Sequence, residues 1–250
     1  MHPDPIMTAE LLTAWEQGLS QSPSRRALTL LAAAFRDMPE DKLVRLCVGQ
    51  RDRLLMGLRE TLFGSQLTSL SACPVCAERL ELKLDIADIK IASESEPASE
   101  LSLELTGYQV NFRLPDSQDL MLIEACTDLP EARYLLFERC LLSVERDGQE
   151  QSAAGLPDDI LNRIETAMSD ADPQADVQLN LTCPACGYHW LATFDIASFL
   201  WSEINAWAQR ILNEVHSLAK AYGWREADIL SMSSKRRHLY LALVAETRGA

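Results

Sequence analysis

SACPVCAERLELKLDIADIK (residues 71–90) and LTCPACGYHWLATFDIASFL (residues 181–200) align without a gap at an offset of 110 residues. They share Cys-Pro-x-Cys, at Cys73, Cys76 and at Cys183, Cys186, and then Asp-Ile-Ala, at Asp85-Ile86-Ala87 and Asp195-Ile196-Ala197. In C-x-x-C the two thiolates close on one metal ion from a single tight turn. Proline at the second position sets φ for that turn, and Gly187 after the second pair supplies a positive φ. Four thiolates satisfy tetrahedral Zn²⁺ with no open position, which makes a structural site and not a catalytic one. The 106 residues between Cys76 and Cys183 far exceed the spacing of a compact two-knuckle site, and if one ion takes all four ligands it staples the first half of the chain to the second.

After each knuckle the apolar residues alternate: Leu80, Leu82, Leu84 and Ile86 in the first, Trp190, Ala192, Phe194 and Ile196 in the second. Val177, Leu179 and Leu181 alternate into the second knuckle. Period two marks half-buried strands, so each unit reads as strand–knuckle–strand, half of a zinc ribbon. Matching positions also imply an approximate two-fold relation between the halves. A redox pair would place C-x-x-C before a helix in a βαβ unit, not between strands. Two separate metal sites would each need two more ligands, and only the second knuckle has a nearby histidine, His189. Plain buried cysteines are the remaining alternative.

The rest of the chain reads as α+β, mainly α-helical. Residues 1–64 form an N-terminal helical part, with Leu11, Leu12, Trp15 and Leu19 on one face and Pro23 opening a helix behind Ser22. Pro39 opens another, and a stripe of Leu54, Leu55, Leu58 and Leu62 stops at Gly64. Residues 65–90 are the first zinc-ribbon half. Residues 91–170 are an α+β insertion: a loop over 91–100, a hairpin around Thr106-Gly107, a helix capped by Pro115-Asp116-Ser117 that includes Cys126, and a helix from Pro130 with Tyr134, Leu135, Phe137 and Leu141 inward. An Asp147-Gly148 turn, a polar loop over 149–156 and a helix from Pro157 complete it. Residues 171–196 are the second ribbon half, and 197–250 are a C-terminal helical part. Leu200, Ile204, Trp207, Ala208, Ile211, Val215 and Leu218 keep helical spacing up to a break at Tyr222-Gly223-Trp224.

The net charge of −14 is unevenly placed. Residues 1–64 balance at eight acidic and eight basic side chains, residues 65–180 carry 23 acidic against eight basic, and residues 181–250 carry six against seven. Such a field disfavours nucleic acid and favours a basic protein surface as partner, unless it serves only solubility. Of the seven cysteines, Cys47, Cys126 and Cys140 read as small apolar residues in helices. The absence of a disulfide framework and of a signal peptide points to the cytoplasm, and no apolar run is long enough to span a membrane. No dinucleotide, P-loop, zincin or nucleophile-elbow motif occurs. The four histidines are scattered and Asp85 and Asp195 sit where helix N-caps belong, so the expectation is a non-enzyme.

Several stretches taken in order carry a resemblance: RDRLLMGLRETLFG, CPVC with LELKLDIADI, GYQVNFRLPDSQDL, ADPQADVQLNLTCPACGYHW, FDIASFLWSEINAWAQRILNEVHSLAKAYGWREADIL and RRHLYLALV. Together, from about residue 15 to 245, they resemble the baseplate-hub assembly proteins of T-even-type contractile phage tails. Such proteins also occur in bacterial gene clusters for phage-tail-like contractile particles. The resemblance implies an assembly chaperone or accessory of the baseplate hub, with hub or other tail proteins as partners and a place in the cytoplasm or in an assembled tail particle. Partner-binding candidates are Trp201, Trp207 and Trp224 with Arg236 and Arg237, although tryptophans so placed also serve as core anchors. The alternative from another class is a zinc ribbon that binds nucleic acid or serves transcription, with Lys235-Arg236-Arg237 as its basic cluster.

Overall fold

A computed structural model describes residues 2–91, 98–105, 107–152 and 155–249, with side chains to residue 246. The expected loop at 91–100 lies partly outside these residues, as do Thr106 of the hairpin turn and two residues of the 149–156 loop. The chain opens with four helices, α1 (Thr8–Gly18), α2 (Pro23–Ala34), α3 (Glu40–Arg45) and α4 (Val48–Phe63). Pro23 occupies the first turn of α2 behind Ser22, where its missing N–H costs nothing. Strands β1 (Gln66–Ala72) and β2 (Arg79–Asp85) follow and lead into the short helix α5 (Ile86–Ile89).

The insertion holds β3 (Leu101–Leu105), β4 (Tyr108–Phe112), α6 (Ser117–Ile123), α7 (Leu129–Cys140), β5 (Leu141–Arg146), β6 (Gln149–Glu150) and α8 (Asp158–Ala171). Its four strands form one antiparallel sheet in the order β3-β4-β5-β6. Leu141 is therefore the first strand residue and not the last inward residue of a helix, because α7 stops at Cys140. Tyr134 also departs from the inward reading, being 46% exposed. Cys126 lies beyond α6 and Cys47 is the N-cap of α4, so of the three lone cysteines Cys140 alone is helical, and it is fully buried.

A 3-10 turn at Pro173–Ala175 precedes β7 (Gln178–Thr182) and β8 (His189–Thr193), and then come α9 (Ile196–Tyr222), α10 (Glu226–Leu230) and α11 (Ser234–Gly249). The 27-residue α9 starts at the Asp195 carboxylate, which accepts from the Ala197 and Ser198 N–H groups, and ends at Gly223 in the left-handed region, φ 67°. Gly18 has no side chain because the Trp201 ring lies where one would be: an added Cβ would meet that ring at 2.5 Å.

There are two hydrophobic cores among the described residues. The larger joins α1, α2 and α4 to α9 and also takes Leu67, Ile86, Ile89, Val177 and Ile196 from the two hairpin units. Helices α1, α2, α4 and α9 and the two hairpin units are thus one packed body. The smaller core, around Val110, Phe112, Phe137, Val144, Ile160 and Ile164, belongs to the insertion. Polar links reinforce the larger body. Arg59, 3% exposed, forks onto the Glu203 carboxylate of α9 with two bonds of 2.8 Å and donates to the Gly64 carbonyl. Trp15 Nε1 donates to Asn205 at 3.0 Å. The insertion docks through Glu124, whose carboxylate accepts the Ser24 N–H at the start of α2, and through a bridge between Cys47 and Asp116.

Candidate metal centre

Each C-P-x-C turn is built by the same two backbone bonds. Ala77 N–H donates to Cys73 O and Gly187 N–H to Cys183 O, both at 2.9 Å; Cys73 N–H donates to Glu78 O and Cys183 N–H to Tyr188 O, again at 2.9 Å. The residue after the second cysteine must take positive φ, and it does so at Ala77 (60°) and Gly187 (72°). Both knuckles use the left-handed region, but only one supplies the residue type that occupies it without strain.

The strand registers repeat at the same offset of 110. Ala72 pairs with Arg79 as Thr182 does with His189, Ser71 with Leu80 as Leu181 with Trp190, and Thr68 with Lys83 as Gln178 with Thr193. Asp85 and Asp195 each cap the following helix, accepting from Ala87 N–H and Ala197 N–H at 2.9 Å, and the next residues, Ile86 and Ile196, are 2% and 1% exposed in the same core. The expected N-cap role and the matched burial both hold. The thiols cross-pair: Cys73 Sγ lies 3.7 Å from Cys186 Sγ, and Cys76 Sγ 3.5 Å from Cys183 Sγ. An operation that exchanges the knuckles turns one of these contacts into the other, as a two-fold axis through the cluster requires.

All four sulfurs lie within 4.8 Å of one another. A tetrahedron with metal–sulfur bonds of about 2.3 Å has sulfur–sulfur edges of about 3.8 Å, so the spacing fits one ion held by four thiolates. His189 is not in the group; its Nδ1 pairs with the Thr182 hydroxyl at 2.9 Å. In each pair the first cysteine is buried and the second exposed, so the cluster sits at the rim of the large core.

Burial raises the Cys73 thiol, but the N–H groups of Cys76 and Val75 and the thiols beside it bring it down to about 7. On Cys76 the Glu78 N–H has the largest influence and lowers the thiol, yet the surrounding thiols of Cys183, Cys186 and Cys73 together with burial push it up to about 12. Cys186 is raised too: the Tyr188 N–H lowers it, while burial and the thiols of Cys183 and Cys73 prevail. Four thiols this close cannot all ionise without a cation among them. By contrast Cys47 and Cys140 are pushed up to about 12 chiefly by burial, which makes them inert packing groups.

The expected partner-binding residues differ in exposure. Trp201 and Trp207 are half-buried against the main core, with the Arg26 guanidinium 4.8 Å from the Trp201 ring centre. Arg237 departs from the expectation of an exposed basic cluster. It is 3% exposed, its Nε donates to Glu214 at 2.8 Å and its Nη1 to the Met232 carbonyl at 2.7 Å. Arg236 is exposed. Trp224 stacks on Tyr222 at 4.5 Å, and Tyr240 of α11 meets both rings edge-on. This half-exposed aromatic trio was missed as a unit, because only the Tyr222-Gly223-Trp224 spacing hints at it and Tyr240 arrives from another helix.

A family model described as T4 bacteriophage base plate protein matches residues 10–201. The chain belongs to that family, and the match spans both knuckles and the start of α9. No curated protein and no solved structure matches it. No helix among the described residues is long and apolar enough to cross a membrane.

Proposed function

We propose that this protein is a non-enzymatic assembly factor or accessory of the baseplate hub in a contractile phage tail or a phage-tail-like injection particle, and that the four-cysteine centre holds one structural Zn²⁺. The family match carries the reading, since it covers both C-P-x-C units, the helices before them and the start of α9. Zinc suits four thiolates at these distances because it is indifferent to geometry beyond the tetrahedron and has no redox chemistry of its own. An ion so enclosed has no open position for substrate, and its work is to hold residues 65–90 against residues 171–196.

The partner is another baseplate or tail protein. The trio of Tyr222, Trp224 and Tyr240, with Arg236 nearby in sequence, is the docking surface best suited to supply affinity, since aromatic and arginine anchors dominate interface energies. The acidic insertion sets the encounter rate with a basic partner face more than the affinity. Burial of Arg237 leaves a small basic footprint for nucleic acid, which argues against the alternative.

Co-expression with the hub and tail-tube proteins of the same gene cluster, followed by affinity capture, tests the partner. Trp224→Ala, or a chain cut after Gly223, is expected to lose the captured partner while zinc content stays at one per chain. Intact particle assembly in a strain that lacks the gene defeats the assembly role outright.

A further inference from the structure

One cavity far from the metal centre combines three features that packing does not explain. It measures about 430 Å³ and is walled by His2 and Pro3 of the N-terminal segment, by Arg53, Leu54, Gly57, Glu60 and Thr61 of α4, and by Lys90 beyond α5. The first feature is Arg53. Its Nε is shut off from water and has no hydrogen-bond partner, and among the described residues no carboxylate lies in ion-pair range of its guanidinium. The fully buried Arg51, Arg59 and Arg237 are each matched by a carboxylate and the half-buried Arg26 by the Gly18 carbonyl, whereas Arg53, also half-buried, has no polar partner among the described residues. A partly desolvated cation without a counter-charge is costly, and it is unexpected in a chain of net charge −14.

The second feature is Lys90, which brings another cation to the same cavity from a separate element and forms no ion pair among the described residues. The third is Gly57, four residues after Arg53 and therefore directly above it on the helix face. A glycine inside a helix is destabilising relative to alanine. At Gly57 nothing lies within 4 Å of an added Cβ, so no neighbour requires the glycine. What its missing side chain does provide is open space in the cavity wall.

We propose that this cavity is a binding site for an oxyanion, a carboxylate or phosphate group, seated over Gly57 between Arg53 and Lys90. Leu54 and Pro3 offer an apolar wall to the body that bears it, and Thr61 a hydroxyl at the far end, although that hydroxyl also donates to the Gly57 carbonyl at 3.0 Å. Charge-assisted bonds from two cations fix the anion against the repulsion of the Glu60 carboxylate in the same wall, and the fork of Arg53 orients it.

Titration of the intact, metal-loaded protein with inorganic phosphate and, separately, with succinate tests this by following the arginine Nε–H and lysine Nζ resonances. The expected result is a saturable shift of the Arg53 and Lys90 signals with at least one probe, and the one that binds more tightly identifies the group. Arg53→Gln and Lys90→Gln should each weaken binding about tenfold or more, in line with the loss of a charge-assisted bond. Gly57→Leu should abolish binding while leaving the fold intact, since its side chain points into open space; Gly57→Ala should raise the unfolding midpoint yet weaken the anion. Three outcomes overturn the proposal: no shift with either probe, a shift that Gly57→Leu leaves unchanged, or Arg53 signals that move in Glu94→Gln/Glu96→Gln without added anion, which would make the counter-charge the chain's own.

Discussion

Gly49 and Asp172 lie 123 residues apart in sequence and in contact in space, and they allow a sharp test of how the returning chain is clamped. Gly49 is the second residue of α4, and its N–H donates to the Asp172 carboxylate at 2.8 Å. That carboxylate, on a residue 5% exposed, adds to the local capping box of Cys47 and Gln50 at the positive end of the helix. A Cβ on residue 49 would fall 1.8 Å from Asp172 Oδ1 and 2.6 Å from its Cγ, so Gly49→Ala must drive the carboxylate off. The lost bond is charge-assisted and worth roughly 1.5–3 kcal/mol, and a buried carboxylate left without its donor adds to that, giving about 2–4 kcal/mol in all. Asp172→Ala alone forfeits the cap, at about 1–2 kcal/mol. In the double variant the obstruction is gone and alanine is the better helix former, so the residue 49 change becomes stabilising by about 0.5–1 kcal/mol. Urea unfolding of the metal-loaded protein and its three variants, with equal m-values, reads the cycle directly. The expected coupling exceeds 2 kcal/mol, and the effect of Gly49→Ala reverses sign between backgrounds. If Gly49→Ala costs the same with and without Asp172, the carboxylate does not clamp α4.

Metal analysis should return one zinc per chain, and Cys73→Ser and Cys183→Ser should destabilise by similar amounts, because each removes one ligand from the same shared ion; two metals per chain contradict the single site. Ala77→Gly should stabilise the loaded protein by up to about 1 kcal/mol in thermal unfolding, as glycine takes φ of 60° without a Cβ penalty, whereas Gly187→Ala should cost a similar amount. Asp52 gives a pH signature. Burial is the largest influence on its carboxyl and pushes it up to about 6 from 3.8, against the pull of Arg51. The native state therefore binds the extra proton between about pH 6 and 4, and wild-type stability gains on falling pH by about 2–3 kcal/mol from this group. Asp52→Asn lacks that gain, so its stability relative to wild type should improve from pH 4 to pH 7 in paired urea titrations; a constant difference refutes the burial argument.

The hairpins and their cysteine-bearing turns were readable because period-two alternation, C-P-x-C and the Asp-Ile-Ala cap are local signals that the tertiary structure has no reason to override. The same holds for α9, whose apolar face runs through Leu200, Ile204, Ala208, Ile211 and Leu218 to Gly223. Strand β5 was hidden because Leu141-Leu142 continues the apolar spacing of α7, although Asp147-Gly148 is a hairpin signal that, with Leu142 and Val144 before it, could have revealed β5 and β6. Ala77 concealed the positive φ that Gly187 advertised. Arg237 looked like surface charge because an arginine gives no sign in sequence of whether a glutamate 23 residues earlier will meet it. Asp172 capping Gly49 and Arg59 gripping Glu203 are legible only once the chain has folded back, since propensity is local and these bonds are not.

The separation of the two cysteine pairs sets a timetable for the chain as it leaves the ribosome. At about 5–20 residues per second, the 106 residues between Cys76 and Cys183 take roughly 5–20 s to synthesise. During that time the first knuckle has half its ligands and β1–β2 is a lone two-stranded hairpin, which is marginal in water. The N-terminal helices wait as well, because the face they share with α9 has not been made. The insertion has its own core, so a segment in the middle of the chain has the contacts to pack before the frame that carries it is complete. The proposed ion would then join the earliest and latest parts of the molecule, and a nascent chain arrested before Cys186 would lack part of that ligand set.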